Sequence, residues 1–162
     1  MHAIFSKCVS AAARVSALFF MLGLSLSACA ENDVVTCAQN LTHSEGFTAC
    51  VPEGFESTMG PTGFEFVETG NLRTPKIIKL EILPGGSESY RLDQSRALDG
   101  IGQTVRYGVR ELGSGSAGTE YQLLAYLDFN GRGLLVTARE QTEFGQPDFA
   151  TAWAVLDRID FP

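Results

Sequence analysis

From Phe47 onward apolar residues fall at every second position in one short segment after another, the period of strands with one face buried. In Gly46–Val51, Phe47, Ala49 and Val51 alternate with Thr48 and Cys50, and Pro52-Glu53-Gly54 ends the run as a turn. Gly63–Glu68 places Phe64 and Phe66 on one face, and Lys76–Leu83 does the same with Ile78, Leu80 and Ile82 before Pro84-Gly85-Gly86. From Tyr90 to Leu98 the apolar spacing is weakly helical, which predicts a short helix or turn. Val105, Tyr107 and Val109 then alternate with Thr104, Arg106 and Arg110, and the partner strand runs from Glu120 to Phe129.

Two hairpins follow from this pattern. Centring the first on Gly115 sets Arg110 opposite Glu120 and Val109 opposite Tyr121, so charge and apolar faces both match. In the second, Asn130-Gly131 is a strong two-residue turn signal leading into Gly133–Glu140. Parity decides its length: two residues keep Leu123, Ala125 and Leu127 on the face of Leu134, Val136 and Ala138, whereas three would separate them. Leu124 and Tyr126 make Glu120–Phe129 apolar on both faces, so this strand is expected to be central. The last element spans Pro147–Ile159, with Pro147 and Asp148 suited to a helix start and Phe149, Ala152, Trp153 and Leu156 forming an i, i+3, i+4, i+7 stripe. Trp153 at that spacing reads as core, with ligand stacking as the alternative; Ile159 and Phe161 close the core. The expected fold is α+β: an antiparallel sheet of about six strands, packed by a C-terminal helix and one short internal helix, in a single domain over 37–162.

The first 28 residues stand apart. Lys7 and Arg14 precede an apolar stretch, Val15–Leu26, which as a helix spans about 18 Å, well short of the roughly 30 Å hydrocarbon core. This is the order of a secretory signal peptide rather than of a domain. Its end, Leu26-Ser27-Ala28-Cys29, resembles the bacterial lipobox, in which the cysteine thiol carries diacylglycerol before cleavage. That resemblance implies lipidation at Cys29, a lipidated tether over 29–36, and a place on the periplasmic face of the envelope. Ala30, where a retained lipoprotein has Asp, implies sorting to the outer membrane. The alternative is an ordinary signal cleaved near Ala28 or Ala30, leaving Cys29 as a thiol.

Cysteine usage follows from that address. Cys8 leaves with the signal and Cys29 is acylated, so Cys37 and Cys50 remain to form a disulfide in an oxidising compartment. Their separation excludes a CxxC dithiol, and His43 as the one histidine after the signal makes a poor zinc site with them.

Charge and missing motifs narrow the function. Nineteen acidic against twelve basic residues give −7, and removing Lys7 and Arg14 leaves −9, so no basic stripe is present to meet nucleic acid. No nucleophile elbow, P-loop, Rossmann fingerprint or EF-hand run is present, so no catalytic residue, metal or cofactor is assigned. His43 lies in a polar segment and reads as a surface residue, and Glu65, Glu68, Glu140 and Glu143 read as solvating carboxylates. What remains is protein recognition, by a toxin-binding or an envelope-assembly surface, with an envelope hydrolase of unrecognised site as the further alternative. Candidate partner-binding residues are Arg110, Ser114, Ser116 and Glu120, around the glycine-rich segment Gly113–Gly118. Small residues there can enter a cleft, although a plain connector would have the same composition. The Asn130–Arg132 turn stands at the other end of the shared strand, and only one end can face a given partner.

A family resemblance adds to this. The start Phe47-x-x-Cys50-Val51-Pro52-x-Gly54-Phe55, the long hairpins and the final helix resemble the α+β fold of PsbP-like and DcrB-like periplasmic proteins. The stretch from Arg106 through the glycine-rich turn, Glu120-Tyr121, Gly131-Arg132-Gly133 and Phe149-Ala150-x-Ala152-Trp153 is similar to immunity lipoproteins of type VI secretion systems. The resemblance implies a non-catalytic protein that binds another protein.

Overall fold

A computed structural model describes residues 35–70, 72–84, 90–129 and 131–161. The expected signal peptide, Cys29 and most of the expected tether over 29–36 lie outside them. The described chain forms nine strands and one helix: β1 (Cys37–His43), β2 (Phe47–Pro52), β3 (Phe55–Met59), β4 (Gly63–Glu68), β5 (Ile77–Leu83), β6 (Gln94–Leu98), β7 (Gln103–Gly115), β8 (Gly118–Phe129), β9 (Arg132–Thr142) and α1 (Ala150–Leu156). Seven strands make one antiparallel sheet in the order β3-β4-β5-β9-β8-β7-β6, and β1-β2 is a separate hairpin. This is the expected α+β class, with the sheet packed by a C-terminal helix.

The parity argument holds at the β8–β9 turn. Phe129 pairs with Arg132, leaving two residues between them, and Leu123, Ala125 and Leu127 face Ala138, Val136 and Leu134. With Phe64, Phe66, Ile78 and Leu80 these residues make one buried face, on which β2 lays Phe47, Ala49 and Val51 and α1 lays Ala152, Trp153, Val155 and Leu156. Burying one such aliphatic or aromatic side chain is worth about 1.5–3 kcal/mol, so the central sheet stands on this single apolar layer. Trp153 belongs to it. Tyr107 meets its ring edge-on at 5.0 Å, and the Arg96 guanidinium lies over it at 4.6 Å.

Four expectations change. The Tyr90–Leu98 helix is absent: Gln94–Leu98 is the edge strand β6, paired with β7. An edge strand needs little apolar patterning, and Leu92 and Leu98, whose spacing suggested a helix, are both buried from an extended chain. Arg91 crosses over β7 so closely that only glycine fits at Gly108, where a Cβ would stand 2.5 Å from the Arg91 carbonyl oxygen.

The first hairpin is longer and differently registered. Gly115 pairs with Gly118 across a two-residue turn, and a bulge at Leu112 shifts the ladder, so Arg110 faces Gln122, Val109 faces Leu123 and Glu120 faces Gly113.

Helix α1 begins at Ala150 rather than Pro147. Phe149 sits in the left-handed region at φ 54°, buried to 1%, while Asp148 Oδ1 accepts from Ala150 N at 3.0 Å. After Leu156 the chain tightens and returns as a bridge, with Thr48 and Asp160 exchanging backbone hydrogen bonds of 2.8 and 2.9 Å.

His43 is the fourth change. It is 3% exposed and packs against Phe47 and Phe64.

Candidate functional site

The long strands give the domain two ends. At one lie the tip of the β7–β8 hairpin and, around Glu53, the first described residues and the start of α1. At the other stand the β1–β2, β3–β4 and β8–β9 turns.

The tip end holds the residues singled out from sequence. Arg110 Nε donates to Gln122 Oε1 at 2.8 Å, and Glu120 reaches Arg139 at 4.0 Å. Ser114 Oγ donates to Glu111 Oε1 at 3.0 Å and lies 2.9 Å from Thr119 Oγ1. Ser116 is exposed in the turn itself. Arg110 and Glu120 are therefore not partners, because the turn falls at Ser116-Ala117 rather than at Gly115, and the segment between them is ladder rather than loop. Gly118, at φ 107°, closes against the Thr142 carbonyl, where a Cβ would stand at 2.3 Å. Phe144 beside it is 88% exposed.

At the same end, beneath β9, Glu140 is a buried carboxylate rather than a solvating one, with Lys76 Nζ at 3.4 Å. Burial pushes its carboxyl above the usual carboxylate range, and Lys76 opposes that shift.

The turn end is interlocked by two contacts missed in the sequence. Arg132 Nη1 meets Glu45 Oε2 at 2.7 Å while Arg132 Nη2 donates to the Glu45 carbonyl at 2.9 Å, tying the β8–β9 turn to the β1–β2 turn. His43 bridges outward from β1: Nε2 lies 3.0 Å from the Gly60 carbonyl of the β3–β4 turn, and Nδ1 accepts from Glu45 N at 3.1 Å. The backbone bond in makes Nδ1 the acceptor, so Nε2 is the donor to Gly60. The signal available in sequence was only that His43 and Phe47 flank a three-residue turn. Beside these turns a shallow cleft of about 290 Å³ runs along Thr58, Pro61, Thr62, Lys79 and Glu81.

The expected disulfide is formed between Cys37 and Cys50. It belongs to a clamp around the first described residues. Arg158 Nη1 donates to the Val35 carbonyl and lies 3.5 Å from Cys37 Sγ, Thr36 Oγ1 donates to Glu53 Oε2 at 2.5 Å, and Glu53 N donates to the Thr36 carbonyl at 2.9 Å. Among the described residues no group of three or more His, Cys, Asp or Glu side chains is gathered to hold a metal, and no helix is long and apolar enough to cross a membrane.

Comparison with known proteins identifies the class. Residues 48–160 match the Type six secretion immunity 3 domain. The chain is 37% identical over 142 residues to the immune protein Tsi3 of Pseudomonas aeruginosa PAO1, covering 85% of this chain and 92% of that protein. A crystal structure from Bacteroides thetaiotaomicron VPI-5482 aligns with a TM-score of 0.61 at 7% identity, covering 78% of this chain and 49% of that one. This chain thus spans about half of that larger protein, and the likeness is one of fold alone. A sheet packed by a C-terminal helix and carrying these matches defines an immunity protein of type VI secretion. The chain belongs to the Type six secretion immunity 3 family.

Proposed function

We propose that this protein protects its own cell by binding and inactivating a toxin delivered through type VI secretion, as a non-catalytic inhibitor held on the periplasmic face of the envelope by lipid at Cys29. The observation behind this reading is the match to the immune protein Tsi3 along nearly its whole length, which leaves no further domain of that relative to supply the activity. Neutralising a toxin requires a preformed surface placed where the toxin arrives. The lipobox-like sequence supports the placement, and Ala30 supports the outer membrane as the address; kinship with PsbP-like and DcrB-like proteins stays an expectation at the level of fold.

Two surfaces compete for the toxin: the β7–β8 tip with Arg110, Ser114, Ser116 and Glu120, and the turns at the opposite end. The test of function is protection. Type VI effectors of the producing strain, each exported to the periplasm of a susceptible strain, should include one that kills cells lacking this protein and spares cells that make it. An envelope-assembly role instead predicts no protection and an envelope defect on deletion.

A further inference from the structure

Where the tether joins the fold bears on the choice between those two surfaces. Val35, Thr36 and Cys37 are held by Arg158, by Glu53 and by the disulfide to Cys50, so the chain leaves the domain from a fixed point. That point can be placed by following the ladder. Glu53 adjoins Phe55, which pairs with Glu68; Glu68 Oε2 accepts from Lys76 N; Ile77 pairs with Arg139; and β9 then runs to Thr142, the partner of Thr119 at the hairpin tip. The tether root and the tip share one end.

We propose that the toxin docks on the opposite end, on the interlocked turns around Ser44, Thr62 and Asp128, and that the hairpin tip faces the membrane. The proposal rests on anchoring at Cys29. Six Cα-to-Cα steps separate Cys29 from Val35, so even a fully extended chain could span only about 20 Å between them. The twelve residues of β8 extend over roughly 35 Å. The clamp therefore keeps the tip end close to the bilayer and leaves the turn end as the surface that a protein arriving from the periplasm meets. The exposed Phe144, on the anchored side, lies where lipid is at hand.

The turn end also suits a recognition surface by construction. His43 to Gly60 and Arg132 to Glu45 hold three turns in one arrangement before any partner binds, which lowers the ordering cost of docking. Its rim is net acidic, with Glu81 and Asp128 added to the Glu45–Arg132 and Glu65–Lys79 pairs. The partner it fits is a toxin surface presenting lysine, arginine and backbone N–H donors to that rim and to the cleft beside Thr62.

Two measurements on the full-length lipidated protein test this. In phosphatidylethanolamine–phosphatidylglycerol vesicles carrying a headgroup quencher, a fluorophore attached through Ser116→Cys should be quenched several-fold more than one attached through Thr62→Cys. Equal or reversed quenching overturns the orientation. In titrations with the purified type VI effectors of the producing strain, Asp128→Lys combined with Thr62→Lys should weaken binding of the cognate one at least tenfold. Ser44→Lys alone, at an exposed turn position, should weaken it several-fold. Deletion of Ser114–Ala117, or Phe144→Ala, should leave Kd within twofold. Loss of binding in the tip variants with full binding in the turn variants overturns the proposal. Binding of none of these effectors by the wild-type protein overturns the immunity reading and the docking surface with it, while the vesicle result still reports the orientation.

Discussion

Arg132 and Glu45, 87 residues apart, are joined by two contacts at once, 2.7 Å to the carboxylate and 2.9 Å to the carbonyl oxygen of the same residue. The planar guanidinium fork makes both possible from one side chain. Both side chains are about 40% exposed, so the ion pair contributes only about 1 kcal/mol to stability. Its larger effect is to fix one turn against another. Arg132→Ala should lower Tm by only a few degrees yet weaken toxin binding at least tenfold, and Arg132→Lys should restore little, because a single ammonium cannot occupy both positions. Thermal melts and titration of the same preparations separate the two effects.

The Cys37–Cys50 bridge closes a loop with a sequence separation of 13. In the chain-entropy model a loop of that size is worth about 3 kcal/mol. The unreduced protein should be lighter by two hydrogens than the reduced form, and replacing both cysteines by serine should lower stability by about that amount. Two freely alkylated thiols in protein taken from the periplasm would contradict the assignment.

Glu140 carries an unusual sign. Because burial raises its carboxyl above the ordinary carboxylate value, the native state holds this proton more tightly than the unfolded chain does. Its ionisation therefore costs stability as pH rises from the ordinary value toward and through the raised one. Glu140→Gln keeps the shape and removes the charge, while Lys76, 38% exposed, can turn to water. Tm should rise by a few degrees at pH 7.5, and the gain should shrink as pH falls toward 4.5. A loss of stability at pH 7.5 would mean that the Lys76 pair outweighs desolvation.

What could be read from sequence follows a physical division. The β8–β9 hairpin was legible because a two-residue turn and a buried face leave one parity, and Leu123, Ala125 and Leu127 fell where that parity required. The Phe149, Ala152, Trp153 and Leu156 stripe was legible for the same reason. The β7–β8 register was not, since a run of Gly, Ser and Ala leaves the turn's position open between Gly115 and Ser116-Ala117, and a bulge at Leu112 adds one residue without a compositional mark. Strands β1, β3 and β6 are short or polar and lie at sheet edges, where alternation is not needed. His43 and Glu140 were read as solvent-facing because burial of a polar side chain depends on partners far away in sequence: Gly60 and Phe64 for one, Lys76 for the other. The interlocked turns depend on Arg132 meeting Glu45, a pairing that no local pattern encodes.

Anchoring is tested separately. A clickable fatty-acid probe should label the wild-type protein and fractionate with outer membranes, and Cys29→Ser should lose the label and move to the soluble periplasmic fraction. Retained label in Cys29→Ser would contradict lipidation at this position.

Protection of living cells is the most direct test of the account. With the type VI effectors of the producing strain exported in turn to the periplasm, survival of cells making the wild-type protein should exceed that of cells lacking it by several orders of magnitude for one of them. Cells making the Asp128→Lys, Thr62→Lys variant at equal abundance should die nearly as those without it. Equal killing with and without the wild-type protein by every one of these effectors would contradict an immunity function.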